Sequence, residues 1–150
     1  MNGIKNETCK KYCYMPEEIN NVTLIFGEEI TSCENMFHSL YYIIEIDLSK
    51  FDASKVTTMY AMFEGCTFLG KIIFGDINTS SVKDMRKVFK KCERITSINV
   101  SNFDTSSVTN MNEMFSYCDA LESIDASSFN TSKVEEMLDI FAYCRSCITI

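Results

Sequence analysis

Histidine is almost missing from this sequence: His38 is the only one among 150 residues. No second histidine and no motif-linked acid or nucleophile accompanies it, so general acid–base chemistry has no visible partner. His38 is expected to be solvated, and no catalytic residue is expected anywhere. Long apolar runs are also missing. The longest, Leu40 to Ile44, covers five residues, far short of the roughly twenty that a membrane-spanning helix needs. Met1 to Lys11 contains lysines but no apolar core, so no signal peptide is visible. Excess positive charge is absent too. The net charge of −7 argues against a nucleic-acid surface and mainly favours solubility.

What the chain does have is apolar side chains and thiols. Hydrophobic residues make up 46% of it, which excludes a disordered tail, and its length suits one domain with a real core. Eight cysteines in so short a chain would ordinarily suggest a disulfide scaffold. Their placement says otherwise, because it follows an internal period. Val56, Met59, Met62, Phe63, Cys66, Leu69, Ile72, Phe74 and Ile77 recur 26 residues later as Val82, Met85, Val88, Phe89, Cys92, Ile95, Ile98, Val100 and Phe103. A further step gives Val108, Met111, Met114, Phe115, Cys118, Leu121, Ile124, Ala126 and Phe129; the next gives Val134, Met137, Ile140, Phe141, Cys144, Cys147 and Ile150. Backward, the same columns reach Ile30, Cys33, Met36, Phe37, Leu40, Ile43, Ile46, Leu48 and Phe51. Fixed-period self-similarity of this kind marks a repeat architecture.

One unit earlier the register slips: Ile19, Val22 and Leu24 match Ile43, Ile46 and Leu48 at a spacing of 24, and Pro16 then interrupts the match. Residues 1–18 are expected to be an N-terminal cap, since terminal repeats differ in order to shield the core. Residues 19–150 are expected to form about five units, the last truncated at Ile150 and left as an edge that continues or pairs with a second copy.

Each unit carries two textures. Val56, Met59, Met62, Phe63 and Cys66 fall at i, i+3, i+6, i+7 and i+10, the stripe of an amphipathic helix. It follows a polar cluster such as Asn78-Thr79-Ser80-Ser81, which can supply N-cap oxygens. The segment from Leu121 to Ala126 alternates at its end like a short half-buried strand. Strands stack about 4.8 Å apart and helices about 8–10 Å apart, and this mismatch bends a stack. The expected fold is therefore an α/β solenoid: a leucine-rich-repeat horseshoe with a concave parallel β-sheet and short helices on the convex face.

The unit Ser101-Asn-Phe-Asp-Thr-Ser-Ser-Val-Thr-Asn-Met-Asn-Glu-Met-Phe-Ser-Tyr-Cys118-Asp-Ala-Leu resembles the BspA-like leucine-rich repeats of bacterial and protist surface proteins. The likeness covers residues 19–150. It departs at Ile77-Asn78, where Phe-Asp is usual, and at Leu40, where cysteine is. It implies a surface or secreted adhesion-type repeat region and offers no catalytic residues.

The column Cys66, Cys92, Cys118 and Cys144 suits small buried hydrophobes better than metal or redox chemistry, because the register alone accounts for it. Cys144-x-x-Cys147 is half a zinc motif, but a structural zinc wants four ligands and Cys147 replaces the leucine of its column. Only Cys9 and Cys13 stand outside the columns, as a candidate disulfide or ligand pair. No metal and no cofactor is expected. Asp52, Asn78, Asp104 and Asn130 form a ladder that could suggest calcium. Two are amides, and Asx side chains hydrogen-bond their own turns, so the turn role is expected. Arg86, Lys87, Lys90, Lys91 and Arg94 are expected on one solvated outer helix, within a stretch, 82–107, of six basic against three acidic residues. Sequons occur at Asn6, Asn21, Asn78, Asn99 and Asn130.

The binding surface follows by elimination, since solenoids bind on their strand face. Its outward positions are Glu45, Asp47 and Ser49; Lys71, Ile73 and Gly75; Ser97, Asn99 and Ser101; and Ser123, Asp125 and Ser127. The candidate ligand-binding set is Glu45, Asp47, Lys71, Ile73, Ser97, Asn99, Ser123 and Asp125. This face is small, hydroxyl-rich and mildly acidic, without the Trp, Tyr and Arg anchors of binding hot spots. The expected role is a non-catalytic binding or adhesion module at the cell surface or secreted, its partner a protein or host extracellular ligand. The alternative is a cytoplasmic repeat scaffold between proteins, favoured by unpaired thiols.

Overall fold

The 26-residue period becomes a hydrogen-bonded register. The computed structural model describes residues 29–148; the expected cap 1–18, the slipped strand at Ile19, Val22 and Leu24, the Cys9 and Cys13 pair, the sequons at Asn6 and Asn21, and Ile150 lie outside the described residues. Parallel bridges join Ser32 to Thr58, Thr58 to Asp84, Asp84 to Asn110, and Asn110 to Glu136, one unit to the next throughout. A second column holds the only regular elements among the described residues, strands β1 (Glu45–Asp47) and β2 (Lys71–Ile73), paired parallel with Ile46 opposite Ile72. The same column reappears as the Ser97–Ser123 bridge.

The expected convex helices are not there. Among the described residues no helix forms, and the segments that follow each polar cluster are successive tight turns. The helix-decorated leucine-rich-repeat horseshoe is thereby overturned, and with it the bend expected from helices packing wider than strands. The reason lies in which carbonyl each N–H finds. Met59, Ala61, Phe63 and Gly65 donate to the carbonyls of Asp84, Arg86, Val88 and Lys90 in the next coil, at 2.8–2.9 Å. The residues between them bond locally, Met62 to Met59, Glu64 to Ala61 and Cys66 to Phe63. Alternate donors thus leave the chain direction, and an α-helix, which needs every N–H directed four residues back, cannot continue.

Turning the backbone at alternate residues requires left-handed dihedrals at fixed places. Asn35, Ala61, Lys87, Glu113 and Asp139 have φ of 52–59°, and Ser39, Gly65, Lys91, Tyr117 and Tyr143 have φ of 59–76°. Each set runs at the repeat period, so every coil carries two such residues. For a residue with a Cβ this conformation costs about 1–2 kcal/mol, a cost the inter-coil hydrogen bonds and the core offset.

Corners are fastened by short polar side chains. The Oδ1 atoms of Asp52, Asn78, Asp104 and Asn130 accept the N–H two residues on, from Ser54, Ser80, Ser106 and Ser132, at 2.9–3.0 Å. The expected turn role of this ladder is what the geometry shows. A buried threonine column ties adjacent corners: Thr79 Oγ1 donates to the Asp104 carbonyl at 3.0 Å and accepts the Asp104 N–H at 2.8 Å, and Thr105 does the same with Asn130.

Inside lie the repeat columns. Val56, Met59, Met62, Phe63, Cys66 and Leu69, with their equivalents in the next two coils, are buried. Phe37, Phe63, Phe89, Phe115 and Phe141 form one parallel stack with centroids 5.3–5.5 Å apart. Each cysteine of the thiol column donates from Sγ to the carbonyl of the phenylalanine one coil back, Cys66 to Phe37, Cys92 to Phe63, Cys118 to Phe89 and Cys144 to Phe115, at 3.0–3.4 Å. Burial pushes the Cys66 thiol up to about 12 and raises the Cys92 and Cys118 thiols too. These are structural thiols, since nucleophilic or metal-binding cysteines need the thiolate.

Candidate functional site

The strand face is positioned by β1, β2 and the matching segments of later coils. Glu45, Asp47, Lys71, Ser97, Asn99, Ser123 and Asp125 are exposed on it and Ile73 is half-buried. Two pairs come together across coils. Lys71 Nζ donates to Glu45 Oε1 at 2.9 Å, an exposed ion pair that contributes little to stability, and Ser97 bridges Ser123.

Three of the remaining members are already engaged. Asp47, Asn99 and Asp125 accept the N–H of Ser49, Ser101 and Ser127 at 2.8–3.1 Å. Hydrogen bonds from the Ser49 and Ser127 side chains, and then from their N–H groups, hold the Asp47 and Asp125 carboxyls below the ordinary carboxylate range. These side chains fasten a corner, as the Asp52 column does. In the second coil Ile73 occupies this position and cannot accept. Gly75 compensates with φ of +59°, and a Cβ there would lie 2.9 Å from Ser49 Cα.

The face is not continuous. Among the described residues no bridge or backbone hydrogen bond joins β2 to the third coil. Phe74 explains the gap, because it stands where other coils place Leu48, Val100 and Ala126. Its ring packs edge-on against Phe63, Phe89 and Phe103 at centroid distances of 6.2, 6.1 and 4.9 Å. A bulkier side chain in a close-packed column forces the backbone to shift. The result is a cleft of about 330 Å³ lined by Ile72, Ile73, Phe74, Gly75, Asn99 and Asn102, across which Asn102 Nδ2 donates to the Gly75 carbonyl. Two of the candidate residues, Ile73 and Asn99, meet there.

A neighbouring column escaped the sequence reading. Tyr42, Phe68 and Arg94 stand one period apart just before the strand positions. The Tyr42 ring lies 5.9 Å from that of Phe68, and the Arg94 guanidinium sits 4.0 Å over the Phe68 ring. Tyr42 is 83% exposed and Ile44, beside it, 70%. The basic residues expected on one helix are dispersed over turns and mostly engaged: Arg86 pairs with Asp84 at 2.7 Å and lies 5.0 Å over Tyr60, while Lys87 and Lys90 both meet Glu113. His38 is exposed, 4.0 Å from Glu64, at a second cleft of about 390 Å³ with Tyr41, Thr67, Lys91 and Glu93. The period would have revealed this pairing too, since Glu64 is one repeat beyond His38. Among the described residues no group of three or more His, Cys, Asp or Glu could hold a metal, and no helix is long and apolar enough to cross a membrane.

Against this geometry, one family matches residues 31–149: it is described as Mycoplasma protein of unknown function, DUF285. The match takes in most of the chain, and the protein belongs to that family. No curated protein and no solved structure matches it.

Proposed function

We propose that this member of the family is a non-catalytic binding module of the BspA-like type, acting at the cell surface and engaging a protein or host extracellular ligand beside its strand face. The observation that carries the reading is the Tyr42–Phe68–Arg94 column with Ile44. It supplies the exposed aromatic and arginine anchors that binding hot spots favour and that the strand positions lack. Glu45 and Lys71 lie just beyond in the chain, suited to a polar rim. Small contributions per module would add through avidity where several modules act together. A second reading, a scaffold between proteins inside the cell, is favoured by the free thiols of Cys33, Cys66, Cys92, Cys118 and Cys144, which fit a reducing compartment.

The test uses beads coated with the protein on an epithelial cell monolayer. Attachment above that of albumin-coated beads, falling at least fivefold for Tyr42→Ala with Arg94→Ala, is the expected result. Equal attachment of both proteins would remove the column from the site. Antibody labelling of intact against permeabilised source cells separates the two compartments: labelling only after permeabilisation favours the scaffold.

A further inference from the structure

We propose that the cleft between β2 and the third coil is a binding site for a neutral polyhydroxyl ligand, one hexose unit of a glycan. The two coils that form it are internal, with another described coil on each side. The backbone groups of a strand alternate between its two neighbours. Lys71 donates to Ile44, and Leu48 to Ile73, on the β1 side. The N–H groups of Ile72 and Phe74 and the carbonyl of Ile72 therefore face the third coil. Among the described residues these N–H groups meet no backbone acceptor and the carbonyl meets no backbone donor. On the opposite edge, Asn99 Oδ1 accepts the Ser101 N–H and hydroxyl at 3.1 and 2.7 Å, which leaves Nδ2 to donate. Asn102 Nδ2 donates to the Gly75 carbonyl at 2.9 Å, which leaves Oδ1 to accept. Asp76 adds an exposed carboxylate to the same lining. Donors and acceptors thus stand together around one small space.

Other occupants fit these observations less well. An apolar ligand would leave the backbone groups unpaired, which is costly. An anion would meet the Asp76 carboxylate, the one formal charge on the lining. A flat aromatic ligand would want an exposed ring to stack on, whereas Phe74 is buried with its neighbours Phe63, Phe89 and Phe103 edge-on. An added peptide strand needs about 4.8 Å more between the two backbones. The same coils refuse that on their turn side, where Met59, Ala61, Phe63 and Gly65 bond across at 2.8–2.9 Å and Phe63 stacks on Phe89 at 5.5 Å. A hydroxyl both donates and accepts, so the hydroxyls of one sugar ring can meet N–H, carboxamide and carboxylate groups together. Its C–H face can rest on the half-buried Ile72 and Ile73. The volume of about 330 Å³ stands at the lower end of the roughly 300–1,000 Å³ of ligand sites, room for a single ring. None of Tyr42, Phe68 and Arg94 lines the cleft, so this site does not rest on the reading given to that column.

Saturation-transfer NMR on the full chain tests this, with the methyl glycosides of glucose, galactose, mannose and N-acetylglucosamine as probes. At least one should receive saturation and bind with a dissociation constant in the millimolar range, weak because no exposed ring stacks on the sugar. The same probe should move the backbone amide signals of Ile72 and Phe74 and the side-chain amide signals of Asn99 and Asn102. Asp76→Ala with Asn102→Ala, both at exposed positions, should weaken binding at least tenfold while leaving the circular dichroism unchanged. Phe74→Val, which installs the residue type of Val100 in the same column, should close the cleft, abolish binding and slow hydrogen exchange at Ile72 and Phe74. The surface double variant decides the matter even if Phe74→Val fails to fold. Tyr42→Ala with Arg94→Ala should bind the probe as the native chain does. Silence from all four glycosides, signals that move only outside the cleft, native affinity in the surface variant or in a folded Phe74→Val, or loss of binding in the column variant would each overturn the proposal.

Discussion

Truncating the phenylalanine stack should cost most in the middle and least at its exposed end. Phe89 is fully buried, with Phe63 at 5.5 Å and Phe115 at 5.3 Å on its two faces and the edge of Phe74 at 6.1 Å. Burying such a ring is worth roughly 1.5–3 kcal/mol in transfer. Each stacked neighbour adds about 0.5–1.5 kcal/mol, and the void left by Phe89→Ala adds a cavity penalty because neighbouring coils are held in register. Together these place Phe89→Ala in the range of about 3–5 kcal/mol seen for buried aromatics. Phe141 is half-buried and has one stacked neighbour, so Phe141→Ala should cost roughly half as much on the same reasoning. Phe89→Leu, which keeps most of the volume, should fall between them. Urea unfolding reads the three values as midpoint shifts at constant slope. Equal losses at Phe89 and Phe141 would refute the stack as an energetic unit, and a loss below about 1 kcal/mol at Phe89 would refute its burial.

The left-handed columns predict opposite signs at equivalent positions: Gly65→Ala should destabilise by about 1 kcal/mol or more, whereas Lys91→Gly, one repeat later at φ of 60°, should stabilise by about 0.5–1 kcal/mol; thermal unfolding of both variants decides it. The thiols predict an alkaline loss. Burial raises the Cys33 and Cys66 thiols from 9.0 to about 12 in the folded chain. Above pH 9 the unfolded state therefore sheds protons that the folded state keeps, and stability falls from there towards pH 12 by about 1.4 kcal/mol per pH unit per thiol. Cys66→Ala should make that slope shallower by one proton, and an unchanged slope would refute the link. Thr79→Val should cost about 1–3 kcal/mol, because it takes the hydroxyl acceptor from the Asp104 N–H; that amide should then exchange with deuterium markedly faster, and an unaltered exchange rate would show that another group accepts it.

The fold was legible as a period and misleading as a local pattern. Column by column, the residues at Val56, Met59, Phe63, Cys66 and Leu69 are buried as their spacing required. The same spacing, one inward side chain every three or four residues, fits an amphipathic helix and fits a coil of tight turns equally well. What separates the two is the partner of alternate N–H groups, and that partner lies in the next coil, beyond the reach of any local window. Nor do the left-handed residues announce themselves. Asn35, Gly65 and Asp139 are types that tolerate positive φ, but Ala61, Lys87, Lys91, Glu113, Tyr117 and Tyr143 are not, and tertiary hydrogen bonding holds them there. The short polar corners were legible because an Asx side chain acts within its own turn.

The same division explains the candidate site. Strand polarity picks out positions that are exposed apart from the half-buried Ile73, yet Asp47, Asn99 and Asp125 are each engaged by the N–H two residues on. Alternation alone cannot tell a side chain that offers its oxygens to a ligand from one that spends them on its own corner. The Tyr42–Phe68–Arg94 column was accessible to the period all along, since the three stand 26 residues apart. Along an apolar inward column, sameness signals a core. An outward column carries information in the reverse way: it is where the residue type changes from tyrosine to phenylalanine to arginine that one coil becomes distinguishable from the next. A ligand that discriminates among otherwise repeated coils must read such positions, and the sharpest change of type between successive coils falls beside the gap that Phe74 opens between β2 and the third coil.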